Sequence, residues 1–163
     1  MPAPVRAFVG VGANLGDAQK TVLAALQELG HLSDTRLVAC SSLYRSAPVE
    51  ASGPDFINAV AELQTTLPAL TLLHRLQAVE HAFDRVRGVR NAPRTLDLDL
   101  VAYGDRVLQT DELTLPHPRA HLRAFVLLPL AELDPTLRLP LRGSIGPWIE
   151  KAADQVIARI AAA

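Results

Sequence analysis

The chain has 163 residues, of which 49% are hydrophobic and 20% charged, and its formal net charge is −1. This charge excludes a globally basic nucleic-acid binder, and we find no apolar run near the roughly 18 residues that a membrane span needs. A single cysteine, Cys40, cannot make an internal disulfide, which favours a reducing compartment. We therefore expect one cytoplasmic domain, residues 1–163, that acts as a monomer without nucleic-acid or membrane partners and carries no secretory signal.

The first half of the chain predicts a strand, a helix and two more strands. "VRAFVGVGAN" (5–14) is typical of a strand ending in a glycine-rich bend, and Asp17 can cap the following helix. "TRLVACSSLYRS" (35–46) is rich in strand formers, and "FINAVAELQT" (56–65) alternates as a half-buried strand. The apolar stripe of the helix consists of Val22, Leu26 and Leu29.

The second half predicts a helix, a strand with a hairpin, and further helices. Pro68 suits the first turn of a helix, and Thr95 to Val101 alternates as a strand. Tyr103-Gly104-Asp105 would turn this strand into a hairpin with "RVLQT". A proline-rich loop around His117 and a leucine-rich helical piece follow. The helix after Pro68 has the stripe Leu72, Leu76, Val79 and Phe83, and a final helix would turn Trp148, Ile149, Ala152 and Val156 inward.

The order of these elements predicts an α+β fold. Strand, helix, strand, strand, helix, strand is the ferredoxin-like βαββαβ core, an antiparallel sheet with helices on one face. An extra hairpin strand and C-terminal helices add to this core. A ligand would sit on the uncovered sheet face and its long loops.

Two carboxylates stand out in "LDLDLV". Asp is depleted from strands, yet Asp97 and Asp99 project from one face of one, with Cα atoms roughly 6.5–7 Å apart. They could simply lie on a solvated strand face. Paired carboxylates on a rigid element also suit Mg²⁺, which takes few protein ligands and the rest from water and phosphate. We favour the metal interpretation.

Arginines precede the paired aspartates. Four of them, Arg85, Arg87, Arg90 and Arg94, fall within ten residues, and Arg123 follows His117 at a short distance in the chain. They could be solvated loop charges. Guanidinium groups also bind phosphate oxygens bidentately, so arginines facing carboxylate-held Mg²⁺ would make a polyphosphate pocket, to which His117 could add a contact. "GVGANLG" (10–16) misses the dinucleotide fingerprint by one residue and is interpreted as a structural bend.

Aromatic rings near the presumed open face suggest a slot for a flat heterocycle. Phe56 and Phe125 could both be core residues. They could also flank a ring system whose edge Asn58 contacts with its amide donor and acceptor.

The chain resembles the 6-hydroxymethyl-7,8-dihydropterin pyrophosphokinase family of folate biosynthesis. "RNAPRTLDLDLV" (90–101) is similar to the signature segment of that family, and the resemblance extends over about residues 5 to 135. Its other motifs, in family order, are "VGANLGD", "SSLYRSAPVE", "PDFINAVAEL", "RVRGVR", "LTLPHPR" and "RAFVLLPLAEL".

The resemblance implies a reaction and its site residues. The family binds MgATP and transfers its terminal two phosphates as one unit to the pterin hydroxymethyl group, with AMP as the other product. By this resemblance Asp97 and Asp99 hold two Mg²⁺ ions, and Arg87 and Arg90 lie on a mobile catalytic loop within residues 84–95. The implied ATP contacts are Glu80, Arg85, Arg94, Leu100, His117 and Arg123, and the implied pterin contacts are Ser46, Val49, Phe56, Asn58, Asp97 and Phe125.

Two other functions stay open at this stage. A nucleotidyltransferase with paired carboxylates on a similar sheet would release pyrophosphate and leave AMP on its acceptor. A non-catalytic small-ligand module would consume nothing when given MgATP and reduced pterin.

Overall fold

The computed structural model describes residues 3–48, 53–87 and 96–161. The strands are β1 (Val5–Ala13), β2 (Thr35–Cys40), β3 (Leu43–Ser46), β4 (Phe56–Thr65), β5 (Asp97–Tyr103), β6 (Leu108–Gln109), β7 (Thr114–Leu115), β8 (Arg138–Leu139), β9 (Gly143–Ser144) and β10 (Ile157–Ala161). The helices are α1 (Ala18–Leu29), α2 (Ala69–Arg87), α3 (Ala124–Leu133) and α4 (Ile145–Lys151), and a 3-10 turn spans Ala120–Leu122.

One antiparallel sheet organises the described part of the chain. Its strands lie in the order β10, β3, β4, β1, β5, and β2 pairs with the part of β4 that β3 does not reach. Helix α1 connects β1 to β2, and helix α2 connects β4 to β5. This is the ferredoxin-like order, so the predicted fold class is confirmed.

The two connecting helices cover one face of the sheet as predicted. The backbone N–H of Lys20 donates to Asp17 Oδ1 at 3.2 Å, which caps α1, and α2 begins directly after Pro68. Both helices turn apolar stripes towards the strands, because residues at helical spacing share a face. The fully buried members of these stripes include Val22, Leu29, Leu72 and Leu76.

Half of the second face is also covered. Phe8, Val60 and Val101 lie on this face and pack with residues of α3 and its neighbours, including Leu127. The expectation that this face is uncovered is therefore correct only for the half beyond α3. No helix in the described ranges has the length and apolar content to cross a membrane.

The strand predicted for 35–46 is divided in two. Ser41 and Ser42 separate β2 from β3, and the Ser41 hydroxyl accepts the backbone N–H of Val60 at 2.9 Å. A side-chain oxygen thus takes the place of a strand carbonyl at this position. The propensity of the segment does not reveal the interruption, because serine is compatible with both structures.

The extra hairpin forms with different strands. The turn after β5 is present, since the Arg106 N–H donates to the Tyr103 carbonyl at 3.1 Å, but β6 pairs with β7 rather than with β5. The outer edge of β5 has other partners. Glu80 accepts the Leu98 N–H at 2.8 Å, and the Val101 carbonyl accepts the His117 N–H at 2.8 Å.

The predicted final helix is present, and Trp148 and Ile149 pack inward, but its extension to Val156 is wrong. Helix α4 ends at Lys151, and the chain then turns into β10, which pairs with β3. Val156, predicted to face inward, is 76% exposed. The free edge of β3 accounts for the difference, because a segment that reaches an unpaired strand gains backbone hydrogen bonds there.

Candidate active site

The paired aspartates lie on the open half of the second sheet face. In β5 they alternate with Leu98 and Leu100, which are buried in the core beneath α1 and α2. Successive side chains of a strand point to opposite faces, so Asp97 and Asp99 share the α3 side. Both are half-buried, and the Asp99 side chain is 48% exposed.

Two glycines of the neighbouring strand lie beside these carboxylates. Gly12 is opposite Asp97 in β5 and opposite Asn58 in β4, while Gly10 is opposite Asp99. Their positions leave a trough with a bare backbone floor between Asn58 and the aspartates. Its width is about 10 Å, twice the spacing between strands. The interpretation of 10–16 as a bend does not predict this position of the two glycines beside the carboxylates.

A buried amide forms the wall opposite the carboxylates. Asn58 is 4% exposed, and its Nδ2 donates to Ser46 Oγ at 2.7 Å. A Cβ atom built on Gly12 would lie 3.1 Å from Asn58 Oδ1, so the amide oxygen extends over the trough floor. Ser46 therefore fixes the orientation of Asn58, and the two predicted residues are brought together.

Glu80 supports the strand that carries the aspartates. It is 8% exposed on α2, and its carboxylate accepts the backbone N–H of Leu98, the residue between Asp97 and Asp99. A charged acceptor makes a short, strong bond of this kind. The geometry connects Glu80 to the position of both carboxylates.

His117 faces the carboxylates with a defined ring nitrogen. Its Nδ1 accepts the Arg119 N–H at 3.2 Å, so in the neutral ring Nε2 carries the proton, and Nε2 lies 4.0 Å from Asp99 Oδ1. Burial lowers the pKa of His117, Asp99 raises it in part, and Arg123 and Arg119 lower it further. The imidazole is thus held as a neutral donor near neutral pH.

The start of α3 brings an arginine and an aromatic ring together. Arg123 is the N-cap residue of α3, and its guanidinium carbon lies 5.4 Å from the centroid of the Phe125 ring. This is within the range of a cation–π contact. Phe125 and Phe56 are both half-buried, and Leu100 is buried in the core on the opposite sheet face.

Several predicted residues fall outside what the structure describes. Val49, Arg90 and Arg94 lie outside the described residues, as does most of the catalytic loop that the resemblance implies within residues 84–95. Arg85 and Arg87 belong to the last turn of α2, but the structure describes only their backbone.

The acidic pair fits a metal that takes few protein ligands. The described residues contain no group of three or more His, Cys, Asp or Glu side chains placed to hold a metal ion. Two carboxylates on one strand face agree with the preference of Mg²⁺ for a small number of carboxylates, with water and phosphate completing its shell.

Fold and site together define an α+β protein of ferredoxin-like topology with an acidic trough on its open sheet face. The model of the 7,8-dihydro-6-hydroxymethylpterin-pyrophosphokinase (HPPK) family matches residues 8–135. The chain belongs to this family, as its motifs predict, and is an enzyme of the pyrophosphokinase class.

Curated relatives agree with this assignment, and a solved structure agrees with the fold. A 2-amino-4-hydroxy-6-hydroxymethyldihydropteridine pyrophosphokinase of Pseudomonas aeruginosa is 48% identical over 136 residues, 83% of this chain and 84% of the relative. The enzyme of the same name from Haemophilus influenzae is 39% identical and spans 96% of this chain and 98% of the relative. Wild-type Plasmodium falciparum HPPK-DHPS, solved with pterin and p-hydroxybenzoate, has a TM-score of 0.71 at 13% identity. The match covers 91% of this chain but 42% of that longer one, and it supports the fold alone.

Proposed function

We propose that the chain transfers pyrophosphate from ATP to the hydroxymethyl group of 6-hydroxymethyl-7,8-dihydropterin, giving AMP and the pterin diphosphate. ATP is the co-substrate that the family uses. The observation that carries the proposal is the acidic pair Asp97 and Asp99, half-buried on an open sheet face beside His117.

Asp97 and Asp99 would hold Mg²⁺, as two ions. Bound Mg²⁺ supplies charge neutralisation for a triphosphate and orients the transferring group. Glu80 keeps the two carboxylates in place through its bond to Leu98 N–H. The acidic pair alone would repel a polyphosphate, so the proposal requires a divalent cation for ATP to bind productively.

Cationic and hydrogen-bonding groups would contact the phosphates. Arg123 offers a fixed positive charge, and the neutral His117 ring offers its Nε2–H. Arg85 and Arg94 would add further guanidinium contacts, while Arg87 and Arg90 would act from the loop. These groups would position the β-phosphorus for in-line attack by the pterin oxygen.

The pterin would lie over the trough floor. Phe56 and Phe125 would stack on its two faces, and the oriented Asn58 amide would contact its edge. Ser46 supports that amide directly. Val49 and Leu100 would contribute backbone groups to the pterin and to the adenine, respectively.

The test is AMP formation from ATP, Mg²⁺ and 6-hydroxymethyl-7,8-dihydropterin. Replacing Asp97 or Asp99 by Ala should lower kcat by at least roughly 100-fold, because the phosphoryl charge loses its stabilising cation. Binding of the pterin alone should largely persist. Asp105→Ala is the matched control, since this exposed aspartate lies in the turn that directly follows the same strand.

The nucleotide products separate the alternatives. AMP with a pterin diphosphate supports pyrophosphoryl transfer, whereas released pyrophosphate with AMP on the acceptor would indicate a nucleotidyltransferase. If the substrates remain unconsumed, the proposed function is wrong. If both alanine variants keep the rate of the Asp105→Ala control, the assignment of Asp97 and Asp99 to the metal is wrong.

A further inference from the structure

Gln155, in the link between α4 and β10, makes two long-range hydrogen bonds. Its Oε1 accepts the backbone N–H of Ala124 at 2.9 Å, and its Nε2 donates to the Leu122 carbonyl at 2.8 Å. These two partners flank Arg123. One amide side chain therefore bridges the chain across the arginine that the proposed function places against the phosphates.

The bridge completes the hydrogen bonding of both peptide groups around Arg123. The Arg123 N–H donates to the Ala120 carbonyl at 3.2 Å, and the Arg123 carbonyl accepts from Val126 and Leu127. The remaining two groups, the Leu122 carbonyl and the Ala124 N–H, are those that Gln155 binds. The first N–H groups of a helix have no partner within it, and no side chain caps α3 at Arg123.

Gln155 is itself held between two elements. Its backbone N–H donates to the Ala152 carbonyl at 3.1 Å, at the end of α4. The next residue, Val156, accepts the Ala47 N–H, and Ile157 is then opposite Ser46 in the sheet. The segment that carries the bridge is thus anchored close to the other side of the candidate site.

We infer that Gln155 is a positioning residue for Arg123 in the transfer reaction. This inference rests on the proposed function, in which Arg123 contacts ATP. Gln155 lies outside residues 8–135, the range that the family model matches. Its action goes through the backbone on both sides of Arg123, which sets where the guanidinium projects from the start of α3.

The test compares Gln155→Leu with Gln27→Leu. Leucine has a similar size but removes both hydrogen bonds, and Gln27 is an exposed glutamine on α1, on the other side of the sheet. Gln155→Leu should raise the KM for ATP roughly three- to tenfold, the factor that one net hydrogen bond represents, with a smaller change in kcat. Gln27→Leu should leave both constants unchanged.

A double-mutant cycle with Arg123→Ala separates positioning from general stabilisation. If Gln155 acts through Arg123, Gln155→Leu should change the KM for ATP by less than about twofold in the Arg123→Ala background. A KM that rises equally in both backgrounds, or that matches the Gln27→Leu control, would overturn the inference. Failure of the proposed function is distinguishable from failure of this inference, because a chain without the proposed function forms no AMP even when it is unmodified.

Discussion

At the residue scale, Gly10 and Gly12 occupy the interior of a strand that glycine weakens. A strand glycine has no side chain to pack and marks a close approach of a ligand or another backbone. Both glycines lie on the face that carries Asp97 and Asp99, and each is opposite one of them. The space that they leave is the trough in which we place the pterin.

We predict that a methyl group at Gly12 impairs pterin binding. A Cβ at Gly12 would lie 3.1 Å from Asn58 Oδ1, so the amide oxygen must move by a few tenths of an ångström, which disturbs the bond from Asn58 Nδ2 to Ser46 Oγ. Gly12→Ala should raise the KM for the pterin about tenfold, the factor expected for one displaced buried hydrogen bond. The KM for ATP should change less.

Gly10→Ala provides the matched control. A Cβ at Gly10 meets Val101 Cγ2 at 3.7 Å, an ordinary contact that requires no movement. The KM for the pterin should therefore rise clearly less than in Gly12→Ala. Equal effects of the two variants, measured as steady-state KM values, would contradict the explanation through Asn58.

The sequence predicts one side of this trough, the aspartates, but not the glycines of its floor. The alternation in "LDLDL" places the aspartates on one face, and that prediction follows from the period of a strand alone. Which residues lie across from them depends on the pairing register between β1 and β5, which are more than 80 residues apart along the chain. Neither spacing nor propensity encodes that register, so the glycines could not be assigned to the site.

At the element scale, the C-terminal end of α3 is bonded to the junction between β2 and β3. Glu132 accepts the Ser42 backbone N–H at 2.9 Å, the Ser42 hydroxyl at 2.9 Å and the Tyr44 hydroxyl at 2.8 Å. Burial raises the pKa of Glu132, but the hydrogen bonds from Tyr44 and Ser42 outweigh it, so the pKa is lowered overall. The carboxylate therefore stays charged as it receives these bonds.

We predict that Glu132→Ala lowers the free energy of unfolding by about 1–2 kcal/mol. Ser42 and Tyr44 are buried and would lose a charged acceptor, while the exposure of Glu132 lets water replace part of it. Tyr44→Phe removes one of these bonds and should cost about 1 kcal/mol. The measurement is denaturant unfolding at pH 7.

The coupling between Glu132→Ala and Tyr44→Phe tests the hydrogen bond more specifically than either change alone. In the double variant, the effect of Tyr44→Phe should largely disappear, since its acceptor is already absent. Glu28→Ala, at an exposed glutamate of α1, is the control and should change stability by less than about 0.5 kcal/mol. Fully additive effects of the Glu132 and Tyr44 changes would contradict a stabilising hydrogen bond between these two side chains.

Element prediction succeeded where the pattern is local and failed where tertiary pairing decides. Helix α2 follows from Pro68 and its apolar stripe, because one signal directly precedes the helix and the other lies within it. The segment 157–161 contains residues that helices and strands share, and it forms β10 because β3 offers an edge. Local propensity is a weak prior, and tertiary context overrides it there.

At the scale of the whole molecule, the layer formed by α3 and α4 contains a buried histidine. His121 is 6% exposed, and its ring meets the Trp148 ring edge-on at a centroid distance of 4.6 Å. Its Nδ1 has no hydrogen-bond partner among the described residues. Burial, and then Arg142, lower the pKa of His121. At a pH between the folded and the unfolded pKa of His121, this imidazole is therefore mostly neutral in the native protein and mostly protonated in the unfolded chain.

This difference predicts a pH-dependent stability. The pKa of His121 in the unfolded chain is about 6.5 and is lower in the folded protein, so between these values the unfolded state binds more protons. The contribution of His121 to stability is therefore present above about pH 6.5 and is lost as the pH falls through the folded pKa. From pH 7.5 to 5.5 the loss is at most about 1.4 kcal/mol for one group.

Unfolding by urea at pH 7.5 and 5.5 checks this prediction. His121→Leu costs stability at both pH values because the contact with Trp148 changes, but the difference between the two pH values should shrink relative to the unmodified protein. His31→Leu removes an exposed imidazole and should leave that difference nearly intact. An unchanged pH difference in His121→Leu would mean that acid destabilisation arises elsewhere, because only a group that binds protons differently in the two states can produce the slope.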